Sequence, residues 1–313
     1  VSPKHQRRPT DTARERNNNR SLANLPSPLL RLGLFYFYSI SLAALASTIP
    51  EVSLIDLQFR VVPVPINAAY PFYTLGVIVL TCWLMTCWID RRPFSSLGLR
   101  LGVQVGAYLL LGFGTAFAAN VLTRWLMMAA YLQVPAWPFF TLVPAEERPF
   151  SPSTLLAVAV YEELYFRSYA FQTVMASLGT VPAILATSVA FGMIHESRLT
   201  GALAVLLGIF LSALYIKTRS LWMPIGFHLG WNVTSTFIGI LGFEGSMATK
   251  WEVVLASHAF TVVLLTLLVL RLPLRPHPRD RELWDRYVKP APWPPWRRAK
   301  EASSVRAEPQ NPR

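Results

Sequence analysis

The chain has 313 residues, 53% of them hydrophobic and 15% charged, and a mean hydropathy of +0.37. A soluble domain carries roughly 25% charged residues, so this composition excludes an ordinary water-soluble globule and points to a membrane. The net charge of +12 would suit a nucleic-acid binder, but no recognition motif accompanies it, and no nucleic acid is expected as a partner.

Residues 1–27 are polar, contain "RERNNNR" and offer no periodic apolar face, so a disordered basic tail is predicted there. Eight apolar runs follow, at 33–49, 71–89, 103–122, 154–175, 181–195, 201–216, 223–243 and 253–272. Each is measured against the roughly 20 residues that cross about 30 Å of hydrocarbon. The predicted fold class is therefore an all-α, polytopic integral membrane protein with about eight transmembrane helices, its membrane domain spanning 28–275. The first run also has the look of a signal peptide, with Ala44-Leu45-Ala46 as a small-residue cleavage site. Its basic leader is long for that role, and the loop charges are best explained if the segment is retained.

Lys and Arg are unevenly placed along this pattern. If both tails and alternate loops share one side, that side holds the N-terminal cluster, Arg91, Arg92, Arg100, Lys217, Arg219 and the run from Arg271 to Arg313. The other side receives only Arg60, Arg124, Arg148, Arg198 and Lys250. The positive-inside rule then puts both termini in the cytoplasm, and the tails suit a bacterial cytoplasmic membrane. Residues 276–313 read as an irregular Pro- and Trp-rich tail, with Trp284, Trp293 and Trp296 at the membrane surface and anionic headgroups as partners.

Smaller features have plain readings. Cys82 and Cys87 are core thiols, Gly102 and Gly106 have the GxxxG spacing of close helix packing, and 123–152 is a loop or interfacial helix holding Glu146, Glu147 and Arg148.

An ionisable side chain inside a membrane span is costly, and each is a functional-site candidate. In "VYEELYFRS" Glu163 and Arg167 are four residues apart and within reach of each other, whereas Glu162 projects about 100° away without a local cation. Glu163 and Arg167 therefore read as a supporting ion pair, and Glu162 as a general base. "FGMIHES" places Phe191 and His195 on one face, and "PIGFHLGWN" does the same for His228 and Asn232. His5 and His277 fall in the tails, and His258 stands alone in the last span. His195 beside Glu162 would activate a water, while His228 and Asn232 would donate to an oxyanion.

The order EExxxR, FxxxH, HxxxN on successive membrane helices resembles the CPBP family of intramembrane proteases, which includes the CAAX prenyl endopeptidases. The matching residues are Glu162, Glu163 and Arg167, then Phe191 and His195, then His228 and Asn232. The loop "PFSSLGLR" is similar to the segment that often precedes the family core, so the resemblance spans 91–235. It implies an intramembrane endopeptidase of the glutamate type, formerly classed among metalloproteases. Glu162 and His195 would activate the water, His228 and Asn232 would form the oxyanion site, and Glu163, Arg167 and Phe191 would support them. The partner is a peptide or protein substrate in or at the membrane; prenylated C-terminal, signal-related and immunity-related peptides all fall within the resemblance.

Zinc is the alternative cofactor, with Glu162, His195 and His228 as its ligands. A metal-free site is the reading adopted, because HxxxN supplies one good ligand per helix and HExxH is absent. The rival functions are a transporter or channel whose ionisable residues line an ion path, and a scaffold of the same fold without turnover.

Overall fold

The computed structural model describes residues 27–47, 69–130, 140–144, 150–195, 197–240 and 251–288. Glu146, Glu147, Arg148, Glu196, Trp293, Trp296 and nearly all of the N-terminal tail lie outside them. The described residues form helices α1 (Pro28–Ser47), α2 (Ala69–Trp83), α3 (Gln104–Ala130), α4 (Pro152–Glu163) and α5 (Ala170–Leu178). They continue as α6 (Thr180–Met193), α7 (Arg198–Thr218), α8 (Trp222–Phe237), α9 (Trp251–Arg271) and α10 (Pro278–Tyr287). One small antiparallel ladder pairs β1 (Phe140–Leu142) with β2 (Ile238–Ile240), Thr141 opposite Gly239.

Among the described residues four helical stretches are long and apolar enough to cross a membrane: Pro71–Ile89, Gln104–Met127, Arg198–Thr218 and Glu252–Arg271. The expected count of eight is not reproduced. Pro28–Leu42 and Thr180–Met193 are apolar but shorter, α8 stops at Phe237 and passes into β2, and the run at 154–175 carries Glu162, Glu163 and Arg167. The outer face is apolar, as a lipid-facing surface should be: Leu110 on α3 is 74% exposed and Leu270 on α9 57%.

Local sequence sets the helix ends. Ser151 accepts from the Thr154 amide at 3.2 Å, and Pro152 occupies the first turn, so α4 begins there. Ser197 and Thr200 form a reciprocal capping box at the start of α7. Gly179, with φ +97°, separates α5 from α6. Between α4 and α5 the chain makes a π-helical turn, Leu164–Tyr169, in which Ser168 leaves helical geometry (φ −93°, ψ −105°) and its hydroxyl donates to the Leu164 carbonyl. Such turns disturb the regular ladder and are frequent at functional sites.

The most extensive helix contact is α3 against α8. Gly226 and Gly230 of α8 face α3, running parallel to it, and Gly112 of α3 faces back. A Cβ on Gly226 would meet the Leu109 carbonyl oxygen at 2.4 Å, one on Gly230 the Phe113 oxygen at 2.7 Å, and one on Gly112 the Met223 oxygen at 2.4 Å. These three are the close-packing glycines of the α3–α8 pair, and Gly192, Gly201 and Gly208 play the same part between α6 and α7. The expected pair does not serve that role: nothing lies within 4 Å of a Cβ on Gly106, and one on Gly102 would meet only the Gln104 and Arg100 side chains.

At the end where α3 and α8 begin, the loop 91–100 is a hub. Arg92 donates to Gln172 (2.6 Å) and Gln172 to the Ser96 carbonyl (2.8 Å), while Tyr215 donates to the Leu97 carbonyl (2.9 Å) and Trp222 to that of Arg100 (3.0 Å). Burial holds the Arg92 guanidinium below its ordinary range, with neighbouring Asp90 opposing that shift. The hub also corrects the C-terminal reading. Residues 278–287 are helical, not irregular, and Trp284 is buried against Tyr215 and not spread on a membrane surface. Asp280 pairs with Arg100 (2.7 Å) and Asp285 with Arg219 (2.5 Å), which docks α10 on the hub. The Pro-rich composition of the following residues obscured a ten-residue helix whose Pro278 sits at its first turn.

Gly226→Ala and Gly112→Ala should each lower stability by about 1–3 kcal/mol, since backbone must yield to the added methyl. Gly106→Ala should be neutral or slightly stabilising. Thermal unfolding of the purified variants in detergent checks the contrast, and equal behaviour of the three would refute this packing.

Candidate active site

Gly226 and Gly230 are four residues apart on the face of α8 that meets α3. His228, between them, projects roughly 160–200° from either glycine, and Asn232 follows one turn later on the same face as His228. The glycines thus turn the two polar side chains toward the interior, where α8 also packs on α4. The end of α4 brings the glutamates to that face.

His228 connects both carboxylates. Its Nδ1 lies 2.9 Å from Glu163 Oε1 and its Nε2 3.4 Å from Glu162 Oε2. Glu163 is fully buried, and the same Oε1 accepts from Arg167 Nη1 at 3.1 Å. Because an ionised carboxylate can only accept, Nδ1 carries a proton toward Glu163, and Nε2 carries one toward Glu162 whenever that carboxylate is ionised as well. The Arg167 guanidinium is also fully buried and lies 4.2 Å from the Phe191 ring centroid, a cation–π contact on its other side.

The sequence pairing of Glu162 with His195 is not what the structure brings into contact. The imidazole within reach of Glu162 is His228; His195 instead donates from Nδ1 to the Phe191 carbonyl at 2.8 Å. That carbonyl lies in the last turn of α6, where no further helical amide reaches it. Its bond leaves His195 Nε2 with a free lone pair. Phe191 is a spacer between the two histidines, its ring centroid 5.0 Å from that of His195 and 5.9 Å from that of His228. Nothing in an FxxxH spacing announces that role.

A cavity of about 530 Å³ opens beside these groups, and His195, His228, Asn232 and Phe191 all line it. Glu162 is not among the lining residues but touches His228, which is. Leu203, Leu207, Leu211, Phe227 and Trp231 supply apolar wall, giving the mix of apolar surface and few convergent polar groups typical of ligand sites. The far wall holds three residues that sequence reasoning did not select: Asn120, Arg124 and His258. Asn120 and His258 offered only polarity within apolar runs, and Arg124 was expected in the loop after the third run, whereas it lies inside α3. His258 read as isolated because its neighbours in space, Trp231 and Arg124, are distant in sequence.

Among the described residues no three His, Cys, Asp or Glu side chains are disposed to hold a metal ion. Both nitrogens of His228 face carboxylates and His195 Nδ1 is bonded to a carbonyl.

Residues 144–234 match the family model described as type II CAAX prenyl endopeptidase Rce1-like. Over that segment, under a third of the chain, the sequence is similar to the CAAX protease family. It contains Glu162, Glu163, Arg167, Phe191, His195, His228 and Asn232, whereas the loop 91–100, Arg124 and His258 fall outside it. Neither the curated proteins nor the solved structures compared with the chain include a significant match. The four long apolar helices, three of them outside that segment and one within it, are those expected of an integral membrane protein.

Arg167→Leu would leave Glu163 buried with His228 as its one remaining partner. The expected loss is about 3–5 kcal/mol, the usual penalty for half of a buried ion pair. Arg167→Lys should lose less, because it keeps the charge while giving up the planar contact with Phe191. Unfolding midpoints in detergent check this order; a Leu variant as stable as the parent would refute it.

Proposed function

We propose that the protein is an intramembrane endopeptidase that hydrolyses a peptide bond with a carboxylate-activated water and without a metal. The observation that carries this reading is the contact of Glu162 with His228, on the wall of a cavity that also presents His195 and Asn232.

Glu162 is the general base. It takes a proton from a water whose second hydrogen points to the free lone pair of His195 Nε2, and the water oxygen attacks the scissile carbonyl carbon. The carbonyl oxygen becomes an oxyanion facing His228 Nε2–H and the Asn232 amide. At 3.4 Å the Glu162–His228 contact is long, so Nε2–H can fork toward the oxyanion as charge develops. In this mechanism His228 acts as the imidazolium, its Nδ1–H held by Glu163 and its Nε2–H directed toward Glu162 and the oxyanion, while Arg167 pairs with Glu163, an orienting role like that of the carboxylate in a hydrolase triad. As the intermediate collapses, the C–N bond breaks and the proton held by Glu162 passes to the departing amine, so atoms and charge balance.

The substrate is a peptide segment presented at the membrane, the class to which the name of the matched family points. The asymmetry of Lys and Arg favours both termini on the cytoplasmic side.

Purified protein in proteoliposomes, assayed by mass spectrometry against a peptide library, should yield cleavage products. Glu162→Gln and His228→Ala should each lower the rate at least about 100-fold, and Asn232→Ala about 100- to 1,000-fold, with unfolding midpoints retained. Chelators should leave the rate unchanged. Undiminished cleavage by Glu162→Gln would overturn the assignment of the base, and inactivation by chelator reversed with zinc would overturn the metal-free mechanism.

A further inference from the structure

Among the described residues the cavity wall carries one fixed cation and no carboxylate: Arg124 lines it, and the other titratable lining groups are His195, His228 and His258. Arg124 is held rigidly. Its Nε donates to Asn120 Oδ1 at 3.0 Å and its Nη1 to the Ile238 carbonyl at 2.6 Å. Asn120 in turn donates to Ser235 Oγ at 3.3 Å, so α3 and the end of α8 orient the guanidinium together. Both acceptors of Arg124 are neutral, and no ion pair to it forms among the described residues. A half-buried guanidinium in a mainly apolar cavity, fixed in direction but lacking an anion, is arranged to receive one.

We infer that Arg124 is the specificity-determining residue of the site proposed above, and that it binds a carboxylate of the peptide substrate. The spacing sets where that carboxylate lies. Asn120 meets Ser235, two turns beyond His228 on α8, and Ile238 lies almost one turn further, so Arg124 sits roughly 10–15 Å along the helix from the reaction centre. An extended peptide covers this in about three to four residues. The carboxylate is either the chain terminus or an Asp or Glu side chain at that separation; the guanidinium chemistry is common to both.

The inference rests on the protease reading for its location, but it can be tested by binding alone. Three fluorescently labelled pools of random short peptides serve as probes. One lacks Asp and Glu and ends in a free carboxylate, one is its C-terminal amide, and one is the amide with a single internal Asp. Affinities are measured by fluorescence polarisation on the full chain carrying Glu162→Gln, with Arg124 intact, as Arg124→Gln or as Arg124→Lys.

With Arg124 intact, a carboxylate-bearing pool should bind about tenfold or more tightly than the neutral amide, and which of the two pools it is identifies the source. Arg124→Gln should bring that ratio near one, and Arg124→Lys should restore part of it. No preference for either carboxylate pool with Arg124 intact, or a preference unchanged in Arg124→Gln, overturns the inference. Because the ratio is internal to each protein and Lys retains the charge, loss of stability in one variant does not decide the outcome. Cleavage by the parent chain is read separately. A carboxylate preference without cleavage would refute the protease reading and leave the Arg124 site standing; cleavage without the preference would do the reverse.

Discussion

The site depends on a buried anion, Glu163, with no exposure to solvent. A carboxylate in that position survives as an ion only if cations surround it. Arg167, one turn later on the same stretch of chain, and His228, from another helix, meet at one of its oxygens. The arrangement couples the end of α4 to the middle of α8 and fixes which nitrogen of His228 faces Glu162. Electrostatic necessity and catalytic geometry are here satisfied by the same contacts.

Holding α8 at the required distance is a matter of packing. Lipid supplies no hydrophobic drive between membrane helices, so close approach of backbones has to come from small residues. Gly112, Gly226 and Gly230 serve that purpose, and they are interleaved with His228 and Asn232 in "GFHLGWN" so that one face is steric and the opposite face chemical. The π turn after α4 adds the local irregularity that places Arg167 beside Phe191. It rests on α2, where Cys82 Sγ lies 3.5 Å from Ser168 Oγ.

The two ends of the α3–α8 pair do different work. At the beginning of both helices, the loop 91–100 is tied by Arg92, Gln172 and Tyr215, and α10 is docked on it through Asp280, Trp284 and Asp285. Farther along, the same helices diverge in chemistry, presenting His228 and Asn232 and then Asn120 and Arg124 to one cavity. A rigid polar hub at one end allows the other end to be hollow, because the glycine contacts between them transmit the alignment.

Composition and periodicity determined the membrane class, the helical character and the set EExxxR, FxxxH and HxxxN, because charge within an apolar helix is costly enough to be informative on its own. Spacing within one helix was likewise sufficient for Glu163 with Arg167, four residues apart, and for the common face of His228 and Asn232. What spacing lacks is rotation and depth between helices. Only the tertiary structure decided that His228, and not His195, meets Glu162, that Phe191 stands between the histidines, and that Arg124 and His258 share their cavity. The close-packing glycines were present in the sequence as Gly226 and Gly230, but their spacing is indistinguishable from that of Gly102 and Gly106 until a partner backbone lies against one pair and not the other. The helix at Pro278–Tyr287 was hidden for a related reason: it is stabilised by docking Trp284 and its acidic neighbours onto residues far away in the chain, and a local pattern cannot register a surface that exists only after folding.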